Sequence, residues 1–267
     1  MNKKENFKDR IYIATFSQGA VEAAAKYGLG LEINHTCVSD NMNEECRQDT
    51  IAWIKKDLKE AKAENGHYLI HGPFTELSPS SIDSRAVQLT WDRLMESVEF
   101  CKIFDSKKLV THTGFFPFLY YPVWHKEKSI EFWTKFADAV PEGLTVCVEN
   151  VFEEDPILFR EIIDEVNKEN IRICLDVGHI NAMASEEWPA TRWIEYLGSR
   201  ISHFHLHNNW GGKKDAHGHV YEGTMDMNEV LETISRCCDE DVTLTIESQK
   251  AMESAEWLTN WFTSRMR

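Results

Sequence analysis

The sequence predicts an α/β fold, a (β/α)8 TIM barrel that occupies residues 1–267 as a single domain. The length of 267 residues fits one such barrel, since these barrels commonly take about 250. Short apolar runs alternate with longer amphipathic segments from end to end of the chain. Most of the short runs also end in an acid or a histidine, and in a barrel of parallel strands such ends meet at the rim where TIM-barrel active sites lie.

The first half of the chain contains four of these alternating units. In the predicted third helix, Val87, Leu94, Val98 and Cys101 form an apolar stripe at helical spacing. We expect strands at 11–16, 30–35, 67–71 and 108–112, and helices at 19–26, 44–64, 84–104 and 126–139.

The second half repeats the pattern, with a turn expected at Gly178 and a long polar loop after the seventh strand. We expect strands at 144–149, 171–176, 201–207 and 242–247, and helices at 156–168, 188–197, 227–237 and 254–265. Eight βα units with right-handed crossovers close into a barrel. The alternative fold, an open doubly wound sheet, usually has fewer units and binds its ligands at a switch point.

Charge and cysteine content restrict the class of protein. A formal net charge of −15 argues against nonspecific attraction to nucleic acid or anionic membrane, although a local basic groove remains compatible with it. The seven cysteines show no CxxC spacing, which is typical of reduced thiols in a cytoplasmic protein. The polar start MNKKENFKDR predicts no secretory apolar region, and no stretch approaches the ~20 apolar residues of a membrane span. We therefore expect a cytoplasmic protein, with a homo-oligomer left open.

Four strand ends in the second half predict a metal site. Glu149, Asp176, His205 and Glu247 end strands five to eight, and neighbouring strands lie only about 4.8 Å apart. Carboxylates held so close repel one another unless a cation lies between them. Oxygen and imidazole ligands suit zinc, manganese, cobalt or iron.

Alternation along strand seven places three histidines on one face. His205 is the predicted ligand, His207 is the alternative nearer the mouth, and His203 is expected to be a deeper imidazole in the core or in contact with a ligand. Five further side chains could bind additional ions, so that the chain would hold one to three in all. Each of them could instead be a hydrogen-bonding residue of the pocket. They are His71, His112, His179, Asp215 and His217.

An aromatic segment, GFFPFLYYPVW at 114–124, follows the fourth strand. Side chains of this segment, among them Phe116, would form a wall together with Phe74 and Trp210. The wall would face the apolar side of a sugar or a flipped base. The alternative is a lid or a dimer contact that buries these large side chains.

Several motifs resemble those of the xylose-isomerase-like TIM-barrel superfamily, and the similarity covers nearly the whole chain. This superfamily holds sugar isomerases and epimerases together with apurinic-site nucleases of the endonuclease IV type. The motifs that carry the resemblance are HGPFTELSPSSID, THTG, CVENV, CLDVGH, HFHLHNN, DAHGHVYEGTMD and TIES.

The two branches of the superfamily imply different metal contents. The epimerase branch implies one divalent ion on Glu149, Asp176, His205 and Glu247. It also implies that Glu149 and Glu247 are the two catalytic bases and that His179 holds a substrate hydroxyl. The nuclease branch implies three zinc ions on nine residues, which map onto those four ligands and the five further side chains. Two features depart from the family pattern. Asn208 and Asn209 replace an acid that is common after the strand-seven histidine motif. The nuclease branch has basic loops that insert into DNA, and here GGKK at 211–214 is the only basic segment at the proposed mouth.

The sequence thus favours a divalent-metal-dependent sugar or sugar-phosphate isomerase or epimerase that acts through a metal-stabilised enediolate on a small-molecule sugar. The alternative is an endonuclease IV-like multinuclear zinc phosphodiesterase acting on abasic DNA. A third reading is a barrel that binds a sugar for regulation without turnover. Neither the metal nor the substrate can be identified from the sequence.

Overall fold

A computed structural model describes residues 7–265, in which eight parallel strands close into a barrel in sequence order. This confirms the predicted (β/α)8 fold. Residues 1–6 belong to the polar start from which the absence of a secretory segment was inferred, and they lie outside the described residues. Between residues 7 and 265, no helix combines the length and apolar character needed to cross a membrane.

The strands match the predicted ones to within two residues at each end. They are β1 (Ile11–Ala14), β2 (Gly30–Ile33), β3 (Tyr68–His71), β4 (Lys108–His112), β5 (Thr145–Glu149), β6 (Ile171–Asp176), β7 (Ile201–Leu206) and β8 (Thr243–Ile246).

The described helices include the eight predicted ones and one more. They are α1 (Ala20–Tyr27), α2 (Arg47–Glu60), α3 (Ser84–Phe104), α4 (Pro122–Ala139), α5 (Ile157–Val166), α6 (Val177–Met183), α7 (Ala190–Leu197), α8 (Met227–Cys237) and α9 (Ala251–Arg265). Short 3-10 turns lie at Phe7–Arg10, His35–Cys37, Ser39–Met42 and Gly198–Arg200.

Several predictions in this set differ from the structure by three residues or more: α2 covers Arg47–Glu60 and not 44–64, and α9 begins at Ala251 and not at 254. Helix α4 begins at Pro122, four residues earlier than expected, because proline is well suited to the first turn of a helix. The expected turn at Gly178 is instead inside α6, whose N-terminus is capped by Asp176.

Two hydrophobic layers hold the barrel together. Large buried side chains such as Trp133, Trp193 and Phe136 fill the space between the strands and the helices. A separate cluster inside the barrel contains Leu69, Val110, Cys147 and Cys174, each two residues before a strand end. Because strand side chains alternate in direction, the same alternation points the strand-end acids and histidines into the barrel mouth.

Candidate metal centre

The four predicted ligands of strands five to eight lie together at the mouth of the barrel. Glu149, Asp176 and His205 belong to β5, β6 and β7, and Glu247 directly follows β8. All four are buried, and their ligand atoms lie within 4.8 Å of one another. His205 Nδ1 is 3.3 Å from Glu149 Oε1, 3.4 Å from Glu247 Oε1 and 3.8 Å from Asp176 Oδ2. We call these four residues the inner quartet.

A second group of potential ligands adjoins the inner quartet and shares Glu149 with it. The other oxygen of this carboxylate, Oε2, is 3.2 Å from His71 Nε2 and 3.3 Å from His112 Nε2. The register of β4 against β5, which pairs His112 with Glu149, brings two of the three side chains together.

The outer group, formed by His179, His207, Asp215 and His217, lies on the other side of the inner quartet. Asp215 Oδ2 is 3.0 Å from His217 Nε2 and 3.3 Å from His179 Nε2, and its Oδ1 is 3.6 Å from His207 Nε2. Asp176 links this group to the quartet, because its Oδ1 is 3.1 Å from His207 Nε2. His207, the alternative to His205, therefore joins the outer group while His205 faces the quartet.

Backbone carbonyls fix the ring orientation of three of these histidines. The Nδ1 atoms of His71, His179 and His217 each lie 2.8 Å from a carbonyl oxygen, those of Gly72, Asn150 and Glu247. A carbonyl oxygen only accepts hydrogen bonds, so each Nδ1 must carry the proton. The Nε2 of each neutral ring then presents its lone pair to a carboxylate, which is the usual arrangement of metal-binding histidines.

Several buried atoms of the site lack hydrogen-bond partners within residues 7–265. They include Asp176 Oδ2, His205 Nδ1 and both ring nitrogens of His207. Buried polar atoms in folded proteins nearly always have partners, because an unsatisfied one costs about 1–3 kcal/mol. Asp176 Oδ2 and His205 Nδ1 face each other at 3.8 Å, and a divalent cation between them would satisfy both. The donor set therefore fits a metal.

The electrostatics of the inner quartet reflect the crowding of its carboxylates. Burial, reinforced by the charges of Glu32, Glu149 and Asp176, raises the pKa of Glu247 to about 7. Burial also opposes ionisation of Glu149, but the neighbouring His205 and His112 outweigh it and hold the pKa of Glu149 well below its usual range. Burial also opposes protonation of His179 and His205, but neighbouring carboxylates outweigh it and raise the pKa values of both rings. Without a metal, protons on these rings and on Glu247 therefore compensate the negative charge.

Helix α6 positions the link between the quartet and the outer group. Asp176 Oδ1 accepts a 2.7 Å hydrogen bond from the backbone N–H of His179. Gly178 lies against the His207 ring, and a Cβ at this position would be only 2.0 Å from His207 Cε1. The glycine therefore allows His207 to approach Asp176.

One residue of the outer group has a strained backbone conformation. His217 adopts a φ of 44°, a left-handed conformation that is uncommon for residues other than glycine. Such conformations cluster at functional sites, where the surrounding contacts maintain them.

Sequence reasoning missed Glu32, which is fully buried in β2 beneath the quartet. Its Oε2 lies 3.2 Å from the Nε2 atoms of both His203 and His205. A signal was present in the strand GLEI, where alternation places Glu32 opposite Leu31 and Ile33 and therefore inside the barrel. His203 lies beside Glu32, deeper in the barrel than the quartet, as the sequence predicted.

The predicted aromatic wall is divided between two places. Phe74 stacks on His112 of the second group, with ring centroids 4.1 Å apart and planes inclined by 13°. Phe116 instead packs against Phe152, and Trp210 is 60% exposed on the loop after β7. A cavity of about 630 Å³ lies along residues 115 and 117–122, and none of the metal-group residues lines it. The substrate roles predicted for Phe116 and Trp210 stay predictions.

Comparison with known proteins identifies the family. Residues 21–261 match the family described as xylose isomerase-like TIM barrel. An uncharacterized protein of Methanocaldococcus jannaschii is 25% identical over 197 residues, which cover 70% of this chain and 66%, just under two thirds, of that protein.

Three solved structures share the fold at low sequence identity. A D-tagatose 3-epimerase-like protein superposes with a TM-score of 0.77 at 21% identity, covering 97% of this chain and 100% of that one. A D-allulose 3-epimerase from Methylomonas sp., solved in complex with D-allulose, has a TM-score of 0.73 at 17% identity and 96% coverage of both chains. A protein from Thermus thermophilus soaked with ZnCl2 has a TM-score of 0.72 at 19% identity, covering 97% of this chain and 99% of that one. With the family match spanning most of its length, this chain belongs to the xylose isomerase-like TIM barrel family.

Proposed function

We propose that the protein is a divalent-metal-dependent isomerase or epimerase of small sugars. The observation that carries this proposal is the inner quartet, in which Glu149 and Glu247 both lie within 3.4 Å of His205 Nδ1 although their strands are well separated around the barrel. Two carboxylates that approach one point from different strands can act on two sides of a bound substrate. The epimerases among the structural neighbours support this class of reaction.

The quartet residues would hold the metal, and its two glutamates would move the proton. A bound divalent cation supplies Lewis acidity, which lowers the cost of an enediolate formed from a carbonyl and its adjacent hydroxyl. One glutamate removes the proton from the substrate carbon, and the other returns a proton from its own side. His179 Nε2, which lies 3.3 Å from Asp215 Oδ2, is the ring atom available to a substrate hydroxyl, because Nδ1 is bonded to the Asn150 carbonyl. Phe74 offers an apolar ring face beside His112.

The test is exchange of substrate hydrogen with solvent deuterium across a panel of ketoses, aldoses and inositol derivatives. We expect metal-loaded protein to exchange hydrogen at one carbon and to interconvert one epimeric or isomeric pair. Glu149→Gln and Glu247→Gln should each reduce interconversion by at least about 100-fold, the usual scale of general acid–base catalysis. Zinc content is measured in each variant, so that loss of the proton carrier is distinguished from loss of metal.

A matched control is Glu153→Gln, which changes another buried carboxyl just after β5. Glu153 accepts hydrogen bonds from Thr113 Oγ1 and from two backbone N–H groups, and it belongs to none of the metal groups. Its substitution should leave interconversion within a few fold of the original. Absence of exchange with every substrate in metal-loaded protein would contradict the proposal.

A second candidate function is a multinuclear zinc phosphodiesterase that acts on abasic DNA. The observation that favours it is the contact between the three ligand groups: the inner quartet and the second group share Glu149, and Asp176 of the quartet contacts His207 of the outer group. Together they contain every one of the nine ligands that the resemblance to endonuclease IV implies. The net charge of −15 weighs against DNA binding. Chelator-sensitive incision of an abasic duplex, without sugar interconversion, would establish this candidate over the first.

A further inference from the structure

A chain of buried hydrogen bonds runs along the barrel interior and ends beneath the inner quartet. Lys108 Nζ is 2.8 Å from Thr243 Oγ1, which is 2.6 Å from His203 Nδ1. His203 Nε2 is 3.2 Å from Glu32 Oε2, and the same oxygen is 3.2 Å from His205 Nε2. Glu32, His203 and His205 are all fully buried.

The donor and acceptor types fix the direction of these hydrogen bonds. The Lys108 ammonium only donates, so Thr243 Oγ1 accepts from it and can give its own proton to His203 Nδ1. The bond to His203 is shorter than the competing contact from Thr243 Oγ1 to the Ser202 carbonyl, which measures 3.3 Å. A neutral His203 then carries its proton on Nε2, which both Glu32 Oε2 at 3.2 Å and Thr245 Oγ1 at 3.0 Å can accept.

The Glu32 carboxylate therefore accepts from two imidazoles at once. It draws the proton of His205 to Nε2, which leaves the lone pair of a neutral His205 on Nδ1. This atom faces Glu149, Asp176 and Glu247 at 3.3–3.8 Å, and ionised carboxylates provide only acceptor oxygens. The orientation is thus wrong for a hydrogen bond of the neutral ring and right for ligation of a cation.

We propose that Glu32 is a positioning residue that holds His205 in the tautomer and orientation required for ligation of the metal through Nδ1. This inference rests on the proposed metal centre but adds a residue that the four-ligand quartet does not contain. Carboxylates that hold metal-binding histidines in this way commonly change metal affinity by about 10- to 100-fold when they are replaced.

The first experiment compares zinc affinity and zinc content in three variants. Glu32→Gln preserves volume, but its amide N–H can donate to His205 Nε2 and favour the opposite tautomer, and Glu32→Ala removes the acceptor. We expect either variant to bind zinc about 10- to 100-fold more weakly by chelator competition while reaching the original zinc content at saturation. The control is Thr245→Val, whose hydroxyl lies 3.0 Å from His203 Nε2 in the same buried layer, and it should change zinc affinity by less than about threefold.

A measurement on the unsubstituted protein keeps the proposal testable if the Glu32 variants do not fold. In ¹⁵N NMR spectra of histidine-labelled, zinc-loaded protein, His205 should show a protonated Nε2 and a zinc-bound Nδ1. Zinc on Nε2 would overturn the proposal, as would unchanged affinity in Glu32→Gln or a lower saturating zinc content that marks Glu32 as a direct ligand. These failures would leave sugar interconversion by the unsubstituted protein intact, whereas failure of the proposed function would show as missing interconversion despite tight zinc binding.

Discussion

Replacement of Gly178 by alanine tests the packing that joins the inner quartet to the outer group. A Cβ at this position would lie 2.0 Å from Cε1, 2.3 Å from Nδ1 and 2.4 Å from Nε2 of His207. The ring would have to move by about 1.4 Å to reach the 3.4 Å at which such contacts become ordinary. His207 has no room for this movement without leaving Asp176, which its Nε2 approaches to 3.1 Å.

Overpacking of a buried site of this kind costs about 1–3 kcal/mol. For a chain of this size each kcal/mol lowers the melting temperature by roughly 2–4 °C. The backbone itself gives no reason for destabilisation, because Gly178 lies in α6 without a positive φ and alanine is the better helix former. The expected loss thus arises from the His207 ring alone.

A double-mutant cycle isolates that contribution. In a His207→Ala background the added methyl group meets no ring, so Gly178→Ala should be neutral or stabilising by no more than about 1 kcal/mol. Urea unfolding of the four proteins, measured in chelator, gives the coupling energy, which we expect to be at least about 1 kcal/mol. An equal cost of Gly178→Ala in both backgrounds would refute the packing argument.

Three further predictions concern pH, substrate and core. Burial disfavours the charged form of His217, but its hydrogen bond to Asp215 dominates and raises the pKa of His217 from 6.5 to about 9. Folded metal-free protein therefore holds this proton more tightly than the unfolded chain does. Its stability against urea should fall as pH rises from about 6.5 to 9. Stabilisation by zinc should instead grow over this range, because the ligands must lose protons to bind the metal. Phe74→Ala should raise the KM for the sugar several-fold at unchanged zinc content, and an equal effect on zinc binding would show that Phe74 supports His112 instead. Trp133→Ala should cost about 3–5 kcal/mol by urea unfolding, since this side chain is 1% exposed.

Strand ends could be predicted because barrel topology converts sequence position into spatial position. Residues as distant in the chain as Glu149 and Glu247 fall in the inner quartet because each lies at the end of a parallel strand. Apolar runs bounded by polar residues locate those ends to within two residues. Asp215 and His217 lie on a loop whose path no periodicity describes. Their residue types made them possible ligands, and the motif resemblance implied their place in a three-zinc site.

Glu32 escaped notice for a physical reason. The signal for a ligand is a polar residue at a strand end, whereas Glu32 lies inside β2, where a carboxylate is normally too costly to bury. Two imidazoles remove that cost, and both come from β7, far from β2 in sequence. Helix α6 was missed because seven residues are too few to show a helical period, although a strand-end acid such as Asp176 often caps the helix that follows.

The two candidate functions make incompatible demands on one atom, His179 Nε2. Its partner nitrogen, Nδ1, is committed to the Asn150 carbonyl, so Nε2 alone can serve a ligand. In an epimerase this atom holds a substrate hydroxyl, whereas in a three-zinc enzyme it binds the metal beside Asp215, from which it is now 3.3 Å. One nitrogen lone pair cannot do both. The metal count per chain therefore decides the chemistry: one tightly bound ion leaves His179 free for a sugar, and three ions commit it to zinc and favour phosphodiester cleavage.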